Sequence, residues 1–173
     1  MEAVAEKPVD LQARTEEAGR TVRNYTLGAM GASLVPMPVV DLAAITAIQL
    51  KMLHSLSKLY GVQFRKDLGK SLIASLIGGY IPYITATTLA SSFIKFVPFI
   101  GHGLALVSMP ILAGATSYAV GKVFIQHFEA GGTFLDFDPE EVREYFAQQF
   151  KEGEKLAAEL QANGAVKGND AAA

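Results

Sequence analysis

From Ser71 to Gly121 the chain reads SLIASLIGGYIPYITATTLASSFI, then Lys95, then FVPFIGHGLALVSMPILAGATSYAVG, and Lys95 is the only fully charged side chain in these 51 residues. At 1.5 Å of rise per residue, wholly helical arms would reach about 36 and 39 Å, against a hydrocarbon core of roughly 30 Å. Each arm is long enough to cross a bilayer. Lys95, Pro98, Gly101 and Gly103 gather between the arms, and proline with glycine is how a chain reverses between helices. The pattern predicts a central two-helix transmembrane hairpin over 64–95 and 99–129. The alternative is a core hairpin buried in a soluble bundle, but core helices usually keep a polar face and this stretch has almost none.

Small residues recur every four positions on both arms, at Ser71, Ser75 and Gly79 and at Ala113, Ser117 and Gly121. Such stripes let helix backbones approach closely and are candidate helix-packing positions. Pro82 and Pro110 each sit near the middle of an arm. Each removes a backbone donor and crowds the carbonyl four residues earlier, which predicts a kink.

Working upstream, Leu27 to Val40 is an apolar run too short to cross alone and broken by Pro36 and Pro38. Asp41 then reads as the N-cap of a helix. Leu42, Ile45, Ile48, Met52, Leu53, Leu56, Leu59 and Tyr60 repeat at helical spacing, Lys51, His54, Ser55 and Lys58 fall largely on the other side, and Gly61 supplies the stop. Residues 24–60 are expected to form an amphipathic helical hairpin beside the main pair, preceded by a polar, helical segment over 1–23.

Working downstream, Asp138, Pro139, Glu140 and Glu141 read as the capped, acidic start of a last helix over 138–160. Its apolar side is Val142, Tyr145, Phe146, Phe150 and Leu156. Residues 161–173 are small and polar and are expected to be disordered. The whole is an all-α membrane helical bundle, with a single membrane domain over 24–160.

Charge is segregated along the chain. Positions 42–128 hold seven Lys or Arg and one acid, whereas 129–173 hold ten acids and four bases. Lys51, Lys58, Arg65, Lys66 and Lys70 precede the first arm and Lys122 follows the second. This basic flank suits anionic head groups, and the positive-inside bias places both termini in the cytoplasm; the family resemblance given below makes the membrane a bacterial inner membrane. A duplex-binding protein would carry a larger basic face, so nucleic acid is not an expected partner.

Chemistry is hard to find. There is no cysteine, hence no disulfide, thiol nucleophile or thiolate metal site. Gly69, Lys70 and Ser71 look like the end of a phosphate-binding loop, but the required first glycine is Phe64 here. Asp136, Asp138, Glu140 and Glu141 lack the glycine and glutamate that complete a calcium loop. His54, His102 and His127 have no metal-ligand spacing. No enzyme, cofactor or metal is expected.

The runs LVPMPVVDLAAITAIQLKMLHSLSKLYGV, SLIASLIGG, IKFVPFIGHG and PILAGATSYAVGKVFIQHFEAGGTF resemble the domain-of-unknown-function family 697. The most specific pieces are the Pro36-x-Pro38-x-x-Asp41 turn, Gln49 to Tyr60 with Gly61, the Pro98-x-x-Gly101 turn and the exit segment Gly121 to Gly132. The resemblance covers about 25–150 and implies a bacterial helical membrane domain of YcjF type, often found behind a small Era-like GTPase domain. No GTPase domain lies in this sequence, so a nucleotide-driven partner would be a separate protein. The expected function is a self-assembling, membrane-organising or remodelling domain, a homo-oligomer that works with such a GTPase. Two alternatives remain open: an oligomeric channel or transporter, and a soluble protein that inserts its apolar hairpin on meeting a membrane.

Overall fold

A computed structural model of the chain describes residues 8–34, 38–90 and 103–170. Five helices account for almost all of them: α1 (Pro8–Ala32), α2 (Pro38–Leu59), α3 (Lys66–Ala90), α4 (Gly103–Glu129) and α5 (Arg143–Asp170). No strand occurs among the described residues. The all-α expectation holds, and the organisation around the apolar hairpin differs from it.

The difference centres on α4. Ala115, Ser117, Ala119, Val120, Val123 and Phe124 are all completely buried, because α5, α1 and α2 pack around this helix, with α3 touching it least. A helix that is apolar all round is buried, and the burying agent can be protein as well as lipid. Here α1 and α5 supply the polar face that α4 lacks: Glu16, Glu17, Arg20 and Arg23 on α1, and Lys151, Glu152, Glu154 and Lys155 on α5, are exposed. Residues 113–128, expected to lie in lipid as part of the 99–129 span, are therefore the core of a helical bundle. Among the described residues no helix is long and apolar enough to cross a membrane. The turn with Lys95, Pro98 and Gly101 lies outside the described residues, as does Pro36.

α1 runs straight through the boundary expected between 23 and 24. Ala18, Val22, Thr26, Ala29 and Ser33 recur at three- and four-residue spacing and are buried, so the polar segment and the first arm of the amphipathic hairpin are one helix. α2 starts at Pro38, where a ring-fixed φ suits the first helical residue. Asp41, read as the N-cap, lies instead inside the helix, three residues after its start.

α2 and α4 end in the same way. Gly61 (φ 67°) follows α2 and Gly131 (φ 86°) follows α4. The amide of Val62 donates to Ser57 O at 2.8 Å and that of Gly61 to Lys58 O at 3.3 Å, while Gly132 donates to His127 O at 2.9 Å and Gly131 to Phe128 O at 3.0 Å. This paired bonding satisfies the last carbonyls and needs a left-handed residue, which glycine adopts without Cβ strain.

The stretch after Gly131 folds back under the bundle. Phe137 stacks on Phe124 with ring centres 4.5 Å apart, and Phe134 meets Phe64 edge-on at 5.7 Å. Asp138 accepts from the Glu140 amide at 2.8 Å, so it caps a turn over 139–142, and α5 begins one turn later than expected. α5 then continues to Asp170, through residues 161–170 of the expected disordered tail.

Candidate membrane-contacting end and adjoining cavity

Contacts between helices fix which end of the bundle the apolar segment leaves. A Cβ on Gly121 would meet Val22, and one on Gly114 would meet Met30, so α1 runs antiparallel to α4 and ends level with the start of the protein-covered part of α4. Leu34 (61% exposed), Met109 (40%) and Leu112 (44%) stand at this end. The sequence 81–108, whose one charged residue is Lys95, takes in the last part of α3 and the first part of α4. Pro82 lies in the part of α3 beyond Tyr80 and Pro110 inside α4.

The basic flank gathers toward the other end. Lys51 and Lys58 on α2, Arg65 before α3, and Lys66 and Lys70 on α3 are exposed, and Lys122 on α4 is half-buried. Lys51 and Lys66 border a shallow groove of about 240 Å³ whose floor includes Leu50 and Phe64.

The small-residue stripes separate. On α4, Gly121 faces Val22 of α1 and Met52 of α2, Ser117 accepts a hydrogen bond from Gln49 of α2, and Ala113 is buried. On α3, Ser71 and Ser75 are exposed and Gly79 lies beside the Arg143 guanidinium of α5. α3 is held instead by Tyr80, whose ring packs on Phe146 at 5.2 Å and Phe150 at 5.0 Å.

Next to this aromatic contact, α2, α3, α4 and α5 enclose a cavity of about 270 Å³ walled by Ile45, Ile77, Tyr80, Ala113, Phe146 and Phe150. Met109 and Leu112 also line it, and their exposure marks the side on which it opens. Gln49 belongs to the wall and is wholly buried. Sequence reading passed over Gln49, although the signal is present: it falls in phase with Met52, Leu53 and Leu56 on the buried stripe of α2. A polar side chain in such a stripe has to be met by hydrogen bonds.

Two polar clusters stand apart from that end. Tyr60 donates to Glu129 at 2.9 Å and Thr15 donates to the same oxygen at 2.7 Å, tying α1 and the end of α2 to α4. Arg14 lies 5.0 Å over the Tyr60 ring. Burial, then the bond to Glu129 and its charge, push the Tyr60 hydroxyl well above its ordinary pKa. In the second cluster, the Thr133 hydroxyl and amide both donate to Asp136, and His127 Nε2 lies 2.8 Å from Thr133 O. The Thr133 hydroxyl, first, and its amide hold the Asp136 carboxyl below the ordinary aspartate value. Both clusters tie loops and helix ends together. Among the described residues no group of three His, Asp or Glu side chains is placed to hold a metal ion.

Comparison with known proteins supplies a relative and a family. The chain is 44% identical over 145 residues to magnetosome membrane protein 22 of Magnetospirillum gryphiswaldense, covering 84% of this chain and 74% of the relative. No solved structure matches it. The profile of a domain of unknown function, DUF697, matches residues 4–155, nearly the whole helical bundle, and the chain belongs to that family.

Proposed function

We propose that this chain is a non-enzymatic, membrane-associated assembly domain whose apolar segment 81–108 enters the bilayer while the five-helix bundle stays on the cytoplasmic face. The observation that carries the reading is positional. Leu34, Met109 and Leu112 are exposed together at the end of the bundle that borders the nearly uncharged sequence 81–108. The membrane named for the 44% identical relative supports the same reading.

The depth of entry follows from length. Residues 81–94 number fourteen, or roughly 21 Å of helix, short of a hydrocarbon core of about 30 Å. The segment enters from one face and returns to it, leaving both termini on the same side. Self-assembly draws on the separated charges: the exposed acids Glu144, Glu152, Glu154 and Glu159 of α5 complement the basic flank of a second copy. The resemblance adds a separate small GTPase as a partner for the assembled form.

Alkaline carbonate extraction combined with flotation on vesicles tests the reading. Retention in the carbonate-washed membrane, with loss of flotation when Ile84 and Leu106 are both replaced by lysine, is the expected result. Full release at alkaline pH, or flotation indifferent to both lysines, would overturn it.

The covered core favours a second reading. Because α1, α2 and α5 already shield α4, a form free of membrane can hold its core together and insert the segment on arrival. Purified chain that stays dispersed without detergent and then floats with added vesicles would select this version.

A further inference from the structure

The cavity at Gln49 opens past Met109 and Leu112 and reaches inward to a wholly buried amide. Its volume of about 270 Å³ corresponds to roughly nine waters at liquid density, and a smaller apolar cavity of about 150 Å³ is already known to stay dry and accept benzene. The wall is almost wholly apolar. No charged side chain lines it among the described residues.

Gln49 is the wholly buried polar residue of that wall, which also carries Thr46 and Thr116. Its Nε2 donates to Ser117 Oγ at 3.3 Å, whereas its Oε1 is buried with no hydrogen-bond partner. A buried carbonyl left unpaired is destabilising, and a ligand able to donate one hydrogen bond would satisfy it. The neighbouring Thr116 hydroxyl already donates to Leu112 O at 2.7 Å. These facts restrict the ligand. An anionic head would be buried without a counter-charge, and a plain hydrocarbon would leave Gln49 unpaired.

We propose that the cavity binds a neutral amphiphile, an aliphatic chain ending in a hydroxyl. The hydroxyl donates to Gln49 Oε1, and the chain lies between Ile77, Tyr80 and Phe150 and leaves past Met109 and Leu112. A free long-chain alcohol and a hydroxyl-bearing lipid share this chemistry. The site stands on the cavity and Gln49 and does not depend on insertion of residues 81–108.

The test uses the full chain in lipid nanodiscs with ¹³C-methyl methionine, titrated with 1-decanol, decane and decanoate. A saturable shift of the Met109 methyl is expected, with Met30 and Met52 unmoved. Decanol binds about tenfold more tightly than decane, as one recovered hydrogen bond requires, and decanoate at neutral pH binds more weakly than either. Gln49→Met removes the preference for decanol and leaves decane binding in place, and Ala113→Leu removes the shift for all three. Shifts that never saturate, equal affinities for decanol and decane on the native chain, or an unchanged preference in Gln49→Met would each overturn the proposal. The three-probe comparison needs no variant, so misfolding of either substitution leaves the test intact. A separate titration with vesicle-extracted hydroxyl lipids distinguishes a membrane source from a soluble one.

Discussion

Val22 occupies the space that a side chain at Gly121 would take: a Cβ there would lie 2.5 Å from one Val22 methyl and 2.8 Å from the other. The glycine on α4 and the valine on α1 therefore form one joint. Gly153 of α5 presses on the opposite partner in a different way, since its Cβ would come 2.9 Å from the backbone Cα and carbonyl oxygen of Ala115. A side chain can turn aside and a helix backbone cannot.

This contrast sets the first prediction. Gly121→Ala is expected to lower stability by about 1–3 kcal/mol through overpacking, and Val22→Ala in the same chain should recover a large part of that loss. Gly153→Ala is expected to be at least as damaging, with no rescue from trimming the Tyr118 side chain. Denaturant melts of the four chains check both statements.

Replacement of the apolar segment gives the second. Residues 113–128 of α4 are packed by α1, α2 and α5, so exchanging 83–106 for a short Gly-Ser linker should leave a helical bundle that melts cooperatively. The same variant should fail to float with vesicles. Circular dichroism and flotation of a single preparation read the two outcomes together.

Acid should loosen one loop before the helices. The Asp136 carboxyl is held below its ordinary value by Thr133 and, last among the causes, by His127. A depressed carboxylate adds stability above its unfolded pKa and loses it as pH falls through the lower folded value. The Thr133 amide is therefore expected to stay protected at neutral pH and to open only in acid below the ordinary aspartate range, as read by pH-stepped hydrogen exchange. Asp136→Ala should expose the same amide at neutral pH.

Alkali acts on the neighbouring Tyr60 cluster, at the same end of α4. Tyr60 is raised by burial first and by Glu129 next, so its neutral form is favoured in the folded state. That contribution is complete below the unfolded tyrosine value near 10 and is lost as pH climbs through the higher folded value. Ultraviolet titration should show Tyr60 ionising late, and Glu129→Gln should bring its ionisation down.

Much of the helical pattern was legible in the residues. The phase of α2 follows the expected stripe, with Met52, Leu53 and Leu56 buried and Lys51, His54 and Lys58 exposed. Gly61 stops it, and Phe146 and Phe150 face inward from α5 as their spacing implied. The stripe on α1 was harder to see because Ala18, Thr26, Ala29 and Ser33 are small or polar and add little hydropathy. They are buried for their size, since small residues let α1 approach α4 closely. Hydropathy also could not identify what surrounds α4. An unbroken apolar run states that water is excluded, and only the packing of α1, α2 and α5 reveals that protein does the excluding over 113–128. Gln49 and Tyr80 escaped because their roles arise from tertiary neighbours far away in the chain.

The way α3 is attached sets the order in which the molecule can come apart. It touches α4 least and exposes Ser71 and Ser75, and it is fastened to α2 and α5 through Ile73, Leu76 and the Tyr80 ring packed on Phe146 and Phe150. Segments with few buried contacts open at lower free energy than the rest of a fold. The seam beside α3 is thus the weakest line in the bundle, the one expected to part first while the grip of α1, α2 and α5 on α4 stays closed.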